Sequence, residues 1–444
     1  MRLALAASVL WLAAGPSFAE RDAPRHFVLI SIDTLRADHV GAYGHDRPTT
    51  PAIDALAATG VRFETALAPS PWTKPSHASM FTGRYPSRHG ATTMDAAIAE
   101  QVPTLAERLR AAGFRTSARV NATWLTSDGL ERGFDDFGAT PYIQGRADGS
   151  RMGDTALAWI EKTDFSRRQF LFLHWMDVHS DYVARRPYRD RFLRPAPGTD
   201  RSKGALANGT TRQLYEHLRG ERTLRDADAR RLSDLYDAGL RQVDDEIGRV
   251  VAALASRGRL DDTLIVLTSD HGEEFLEHGG VLHGYTQFDE VLHVPLIWRT
   301  PGVDARVVTA PVSLVDLAPT AYALLGVDPP AGMDGENLVP GWERPVAADA
   351  ERLLFAEADT VFPPRKPGEA TTGPWRALVS GSFKLYVHAR SGRFRLFDRK
   401  KDPAERIDAA RREPATTKKL VQAPACFLEA APDRPPCPDR LASD

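Results

Sequence analysis

Carboxylate and imidazole side chains follow three separate apolar runs of the sequence: Asp33, then Asp177 with His179, then Asp270 with His271. Taken alone, each of these residues is more typical of a helix cap or a turn. In an open α/β sheet, however, ligands bind at the carboxyl ends of the strands. Carboxylate oxygens and imidazole nitrogens are ligands for divalent cations. The pattern therefore predicts a metal site where these three runs end.

The segment WTKPSHAS, residues 72–79, is typical of a helix start because a proline follows Thr73 by two positions. Thr73 could simply cap that helix. Alternatively, its hydroxyl lies at the positive end of the helix dipole, where phosphate and sulfate groups bind. A neighbouring cation would lower the pKa of the hydroxyl and make it a nucleophile.

The fold that positions these residues is predicted by apolar runs with helical patterns between them. Runs typical of strands buried on both faces span residues 27–32, 115–120, 169–175, 263–268 and 294–298, and helical patterns span residues 50–59, 104–112 and 226–256. Helices between buried strands imply parallel crossovers. We therefore predict an α/β fold with a doubly wound, mostly parallel central sheet.

The C-terminal part differs in character and predicts a small antiparallel sheet, with short runs at 353–355, 383–389 and 393–398 around a hairpin signal. Residues 185–225 lack clear periodicity and predict a long surface excursion. The expected organisation is a signal peptide at 1–19, a catalytic α/β domain at 20–340, a small-sheet subdomain at 341–410 and a tail at 411–444.

The N-terminus and the composition limit the location and the partners. Arg2, a short apolar run and small residues before position 20 are typical of a signal peptide cleaved after Ala19, with an uncleaved anchor as the alternative. We expect an exported protein, periplasmic or extracellular, that is soluble without stable membrane insertion. The formal net charge of −2 gives no case for nucleic-acid binding. Cys426 and Cys437 are predicted to form a disulfide in the tail.

Five blocks of the sequence resemble the sulfatase family of the alkaline phosphatase superfamily, in order and at similar separations. They are LISIDTLRADHVGAYG, SPWTKPSHASMFTGRYPSRHG, FLHWMDVHSDY, TSDHGEEFLEHGGVLHGYTQFDEVLHVPLI and LFDRKKDPAE. The resemblance covers residues 26–405 and implies a metal-dependent hydrolase of small sulfate, phosphate or phosphonate esters. It also implies roles for single residues: metal ligands at Asp33, Asp270 and His271 with the nucleophile position at Thr73 beside them, oxyanion contacts at His179 and Asn121, and a leaving-group residue at His283.

Thr73 departs from the family pattern, which has a cysteine or serine that is oxidised to formylglycine. The extra methyl group prevents formation of that aldehyde, so the elimination that releases sulfate is not open to threonine. A threonyl phosphate can instead be hydrolysed by water or passed to an acceptor alcohol. His77 replaces an arginine of the pattern, and we count it with Lys74 as a candidate substrate contact. The sequence therefore favours phosphoric or phosphonic esters.

Several alternatives stay open at this point. The chain could hydrolyse sulfuric esters through an unoxidised Thr73, or it could be a binding protein with little catalysis. His271 occupies a place that is asparagine in many sulfatases, which shifts the preference from calcium towards manganese or zinc, although magnesium also remains open. Lys74 could equally be solvated. His174 is interpreted as a buried core residue, and Glu273 as part of a polar loop.

Overall fold

The computed structural model describes residues 23–140, 149–194, 210–343, 352–359, 374–389 and 391–423. The predicted signal peptide and the predicted Cys426–Cys437 disulfide lie outside these residues. Within them, no helix combines the length and the apolar character that crossing a bilayer would require.

The strands of the described residues are, in chain order, β1 (His26–Ile32), β2 (Val61–Phe63), β3 (Ala66–Leu67), β4 (Arg115–Val120), β5 (Asp136–Ala139), β6 (Gln169–Trp175), β7 (Thr263–Thr268), β8 (Glu274–Phe275), β9 (Val281–Leu282), β10 (His293–Val294), β11 (Leu296–Arg299), β12 (Arg306–Val308), β13 (Val312–Ser313), β14 (Leu353–Ala358), β15 (Trp375–Ser380), β16 (Phe383–His388) and β17 (Phe394–Asp398). The helices are α1 (Pro51–Ala58), α2 (Thr73–Thr82), α3 (Pro86–His89), α4 (Leu105–Ala111), α5 (Gly149–Lys162), α6 (Tyr188–Phe192), α7 (Thr211–Leu218), α8 (Asp226–Ser256), α9 (Asp289–Leu292), α10 (Leu317–Leu325), α11 (Val339–Glu343) and α12 (Pro414–Gln422).

The centre of the molecule is an eight-stranded sheet in the order β12-β2-β11-β7-β1-β6-β4-β5. The five strands from β7 to β5 in that order pair in parallel. Every residue of β1, β6 and β7 is buried, as expected for continuous apolar runs in a sheet covered on both faces.

Helices cover both faces of this sheet and separate the core into two apolar layers. Residues of α2, α4 and α10 belong to one layer, and residues of α1, α5 and α8 belong to the other. The predicted doubly wound α/β fold is thereby confirmed. The 31-residue helix α8 has the bounds that its pattern predicted and packs along α5.

The run at 294–298 does not form another parallel strand, which corrects that part of the prediction. Pro295 divides it into β10, which pairs with β3 in a separate three-stranded sheet, and β11. Strand β11 is antiparallel to both β7 and β2. Proline lacks a backbone N–H and cannot continue the hydrogen-bond ladder, so the chain changes sheet there.

The region predicted as a long excursion contains helices α6 and α7. Helix α7 begins with a capping box, in which Thr210 and Gln213 satisfy each other's backbone N–H groups. Leu214 and Leu218, four residues apart, are buried on its inner face. The cap and this spacing were readable in the sequence, although the segment was predicted only as a surface excursion without clear periodicity.

The predicted small C-terminal sheet is confirmed as four antiparallel strands in the order β14-β15-β16-β17. One face forms its own apolar cluster, which includes Leu378, Leu385 and Leu396. Helix α12 lies within the predicted tail, and its Leu420 is buried in the same cluster. The described part of the tail is therefore packed against the small sheet.

Candidate active site

Asp33, Asp270 and His271 come together because β1 pairs in parallel with β6 on one side and β7 on the other. Asp33 follows β1 directly, and the other two residues lie just after β7. The His271 Nε2 atom is 3.4 Å from Asp270 Oδ2 and 3.9 Å from Asp33 Oδ1. All three side chains are fully buried. The residues that the sequence predicts as metal ligands therefore share one small space.

The chemistry of this group fits a divalent cation. Asp33 Oδ1 and Asp270 Oδ2 are buried without a hydrogen-bond partner among the described residues. His271 Nδ1–H donates to the Gly272 carbonyl at 2.9 Å, which leaves Nε2 as the unprotonated nitrogen facing the carboxylates. Buried carboxylates without a counter-charge are costly. Tetrahedral ligands at about 2.1 Å from a zinc ion lie about 3.4 Å apart, close to the shortest spacing seen here.

Backbone amides fix the orientation of the Asp270 carboxylate. Its Oδ1 accepts the N–H of His271 at 3.0 Å and the N–H of Thr34 at 3.2 Å, so Oδ2 remains available. Thr34 adopts a left-handed backbone with φ of 60°, which is rare for a β-branched residue. Such strain is typical of residues held in place by a functional site. The Ser76 hydroxyl also donates to the Asp270 carbonyl at 2.6 Å and links it to α2.

Thr73 is the first residue of α2, and the extended backbone of Trp72 precedes it. The Thr73 Oγ1 atom lies 3.4 Å from Asp33 Oδ2 and 3.4 Å from His271 Nε2. Its hydroxyl therefore faces the buried acids and the imidazole, and Trp72 occupies the N-cap position. The alternative that Thr73 is only a helix cap does not describe this geometry.

His77 lies one turn further along α2 and has no exposed surface. Its Nδ1–H donates to the Thr73 carbonyl at 2.9 Å, and the Ser31 hydroxyl donates to its Nε2 at 3.0 Å. Burial lowers the pKa of His77 to about 4, so the ring is neutral. The expectation that His77 contacts the substrate is therefore corrected. Its buried side chain instead connects the start of α2 to Ser31 of β1 through these two hydrogen bonds.

His174 belongs to the site, although the sequence suggested an ordinary core residue. It lies on β6, and its Nε2 is 3.3 Å from Asp33 Oδ2. Its ring also packs edge-on against His77, with centroids 5.0 Å apart. The only signal in the sequence was its position one residue before the end of a strand that neighbours β1, and the pairing of those strands is not visible in the sequence.

His283 and Glu273 form a hydrogen-bonded pair beside the buried acids. His283 Nδ1–H donates to Glu273 Oε1 at 2.9 Å, and the His283 ring packs on His271 with centroids 4.3 Å apart. Burial raises the pKa of Glu273 to about 7 and lowers the pKa of His283. His179 completes the group, with its ring centroid 5.0 Å from that of His283. Glu273 is a second residue that the sequence did not single out.

Asn121 and Lys74 differ in their relation to this group. Asn121 follows β4, is buried, and donates from its amide to Asp177 Oδ2 at 3.5 Å. The Lys74 ammonium donates to Asp128 Oδ2 at 2.6 Å and to two carbonyl oxygens of the loop at residues 94–96. Because its side chain is buried in these bonds, the expected contact of Lys74 with a substrate oxyanion is corrected to a structural role.

Comparison with known proteins agrees with this architecture. The family model described as Sulfatase matches residues 25–327, more than half of the chain. The chain belongs to the sulfatase family. A curated sulfatase-family relative, the uncharacterized sulfatase YidJ of Escherichia coli K12, is 26% identical over 425 residues, covering 86% of this chain and 82% of that protein.

Two further proteins that this chain resembles are named for different ester substrates, one a sulfate ester and the other a phosphonate ester. The choline-sulfatase of Rhizobium meliloti is 26% identical over 444 residues, covering 87% of this chain and 82% of the relative. The solved structure of the phosphonate monoester hydrolase of Agrobacterium radiobacter superposes with a TM-score of 0.73 at 22% identity, covering 90% of this chain and 94% of that one. As a member of the sulfatase family, the chain is a hydrolase of ester bonds.

Proposed function

We propose that the chain hydrolyses phosphoric or phosphonic esters, with Thr73 as the nucleophile in the position that formylglycine has in sulfatases. The observation that carries this proposal is the environment of the Thr73 hydroxyl, 3.4 Å from both an Asp33 oxygen and the His271 nitrogen. The start of α2 adds backbone N–H groups and a positive dipole that favour a phosphoryl group. The fold shared with a phosphonate monoester hydrolase supports the same reading.

The binding of a cation is proposed for Asp33, Asp270 and His271, with the Thr73 oxygen next to them. A divalent cation held there supplies positive charge that lowers the pKa of the Thr73 hydroxyl and offsets the charge of the transferred group. The nitrogen ligand favours manganese or zinc over calcium. We also propose that the protein acts after export, as the N-terminal signal predicts.

The transfer step assigns one task to each side chain. Thr73 Oγ1 forms a bond to phosphorus while the bond to the departing alcohol breaks on the opposite side. Asn121 and His179 bind the non-bridging oxygens and hold the group in line. The Thr73 hydroxyl proton passes to solvent, and the free alcohol departs. A phosphate monoester leaves a phosphothreonine, a phosphodiester leaves a Thr73 phosphodiester that keeps its second alcohol, and a phosphonate monoester leaves a phosphonate ester of Thr73.

The departing oxygen receives its proton from His283. The hydrogen bond from His283 Nδ1–H to Glu273 fixes the ring and presents Nε2 to the leaving group. In the second step water attacks phosphorus, its proton passes to Nε2 of the now neutral His283, and the bond to Thr73 Oγ1 breaks. The released Thr73 oxygen regains its proton from solvent. The buried Glu273 carboxylate stabilises the protonated ring in the same way that the acid of a catalytic triad does.

Hydrolysis of sulfuric esters is the second candidate, favoured by the match to the family model and to the choline-sulfatase. It would require direct transfer of the sulfuryl group to an unoxidised threonine. Aryl sulfate and aryl phosphodiester substrates with the same leaving phenol separate the two candidates, because only the transferred group then differs between them.

The decisive experiment measures turnover of matched aryl phosphodiesters, phosphonate monoesters and sulfates with Mn²⁺, Zn²⁺, Mg²⁺ and Ca²⁺ added in turn. We expect phosphorus esters to be preferred and Thr73→Ala to lose at least about 10³-fold in kcat. Thr73→Ser, with residue 73 verified by mass spectrometry to be unoxidised serine, is the matched control because it keeps a hydroxyl, and it should retain most of the activity. Unchanged turnover in Thr73→Ala would remove Thr73 as the nucleophile, and a preference for the aryl sulfate would select the second candidate.

A further inference from the structure

A cavity of about 220 Å³ lies where the loop after His283 meets the small C-terminal sheet. The loop contributes Tyr285, Thr286 and Phe288, and the sheet contributes aromatic and arginine side chains from β15, β16 and β17. Tyr285 is two residues from His283, so their Cα atoms are at most about 7 Å apart. One wall of the cavity is therefore built by the loop that directly follows the residue to which we assign the leaving group.

The aromatic wall of the cavity is built by cross-strand pairing in the small sheet. Trp375 and Tyr386 lie on the same face, and their rings stack with centroids 4.5 Å apart and planes inclined by 19°. Phe288 of the core loop packs against Tyr386 at 5.4 Å. Stacked aromatic rings held from both sides form a rigid surface suited to a flat ring.

The charge of the cavity comes from two arginines. Arg395 pairs directly across from Tyr386 and shares its face, and Arg393 lies two residues before it at the hairpin. Both side chains are exposed, and among the described residues neither has a carboxylate oxygen within salt-bridge distance. None of the side chains that line the cavity is acidic. The lining thus combines an aromatic surface with uncompensated positive charge.

We propose that this cavity binds the leaving group of the substrate and selects an aromatic ring that carries an anionic substituent. This deepens the function proposed above, since it assigns the part of the ester that departs as the alcohol. The ring packs on Trp375, and the anion pairs with Arg393 and Arg395, whose planar guanidinium groups match a carboxylate. A cavity of about 150 Å³ holds one benzene molecule, so the volume here suits one ring with a short substituent.

Equilibrium binding tests the cavity independently of catalysis. The full-length protein is titrated with 4-hydroxyphenylacetate and with 4-ethylphenol, which differ in charge but little in size. Isothermal titration calorimetry gives the dissociation constant of each phenol. The anionic phenol should bind at least about 10-fold more tightly than the neutral one. The double variant Arg393→Gln/Arg395→Gln should abolish this difference, and Trp375→Leu should weaken both phenols.

Hydrolysis provides the second measurement. The 4-(carboxymethyl)phenyl and 4-ethylphenyl phosphodiesters have leaving phenols of similar acidity, because a methylene group separates the carboxylate from the ring. We expect the ratio of their kcat/KM values to favour the anionic ester and to fall about 10-fold in the double arginine variant. Arg412→Gln, which changes an exposed arginine elsewhere on the C-terminal part, is the control and should keep the ratio.

The outcomes separate this inference from the proposed function. Equal binding of the two phenols by the parent protein, or an unchanged preference in the double arginine variant, would overturn the subsite whether or not the protein is active. Preferential binding of the anionic phenol in a protein that hydrolyses no phosphorus ester would support the subsite and count against the phosphoryl assignment alone.

Discussion

Two groups of buried acids and histidines in this molecule have similar composition but opposite electrostatic surroundings. We call the first the catalytic cluster and the second the Asp237 cluster; their members are Asp33, Asp270 and His271 in the one, and His39, His45 and Asp237 in the other. In each, the candidate ligand atoms lie within 4.8 Å of one another. Composition and proximity alone would assign a metal ion to both.

The Asp237 cluster is already complete as a network of ion pairs. Asp237 Oδ1 accepts a hydrogen bond from His39 at 2.6 Å, and Oδ2 pairs with Arg47 at 2.5 Å and His45 at 3.4 Å. Burial alone would raise the pKa of Asp237, but the hydrogen bonds from the two histidines hold that pKa below its usual range. Both carboxylate oxygens are used, and an arginine provides the counter-charge.

The catalytic cluster lacks such compensation. Among the described residues, no lysine or arginine nitrogen lies within salt-bridge distance of Asp33 or Asp270, and one oxygen of each carboxylate has no hydrogen-bond partner. The two clusters therefore differ in whether their buried negative charge is compensated by the protein. A guanidinium group compensates it in the Asp237 cluster, and the proposed cation would do so in the catalytic cluster.

The largest expected effect follows from removing one of the uncompensated carboxylates. Asp33→Asn keeps the shape of the side chain but removes its charge, so we expect loss of bound metal and a fall of at least about 10³-fold in kcat/KM for the preferred aryl ester. Metal analysis after dialysis, together with steady-state kinetics, measures both quantities.

The same variant also reports on stability. In the presence of chelator, Asp33→Asn should unfold at the same temperature as the parent or at a higher one, because an unpaired buried charge is gone. Addition of metal should stabilise the parent by about 2.7 kcal/mol at a hundredfold excess over Kd and leave the variant unaffected. A chelated variant that is clearly less stable than the chelated parent would contradict the view that the Asp33 charge is not compensated within the protein.

The Asp237 cluster should respond in the opposite way. Asp237→Asn leaves Arg47 and two histidines without their shared acceptor, so we expect a loss of about 3 kcal/mol in the free energy of unfolding, with metal content unchanged. Denaturant unfolding and metal analysis test this pair of results. If Asp237→Asn released metal instead, the distinction between the two clusters would fail.

The sequence predicted the scaffold well wherever a strand or helix is determined by its own residues. Strands β6 and β7 and helix α8 have the predicted bounds, because a continuous apolar run or a long amphipathic pattern specifies each of them. The break at Pro295 was readable from the proline itself and was missed. The antiparallel pairing of β11 with β7 and β2 was not readable, since it depends on contacts with distant strands.

The site was predictable to the extent that its residues follow strands or match a family pattern. Asp33, Asp270 and His271 were found because parallel strands end at one edge. His174 and Glu273 were not, because their roles arise from contacts across the fold, to Asp33 at 3.3 Å and to His283 at 2.9 Å. His77 was misassigned because the sequence does not tell which face of α2 is turned towards the sheet.

Substitution of Lys74 is expected to have the smallest effect on activity, and it tests whether this lysine compensates the charge of the catalytic cluster. It is adjacent to Thr73, yet its ammonium pairs with Asp128 rather than with a carboxylate of the catalytic cluster. Lys74→Met keeps the length of the chain and removes the charge, so we expect a loss of about 1–2 kcal/mol in stability and a KM for aryl phosphodiesters within about twofold of the parent. A lysine that bound the substrate oxyanion would instead raise KM about tenfold or more on removal, with little change in stability. Measuring unfolding and KM on the same preparation distinguishes a structural lysine from a substrate-binding one. In the structure the ammonium of Lys74 binds the loop at 94–96 and Asp128, so it does not compensate the carboxylates of Asp33 and Asp270, for which we propose a cation.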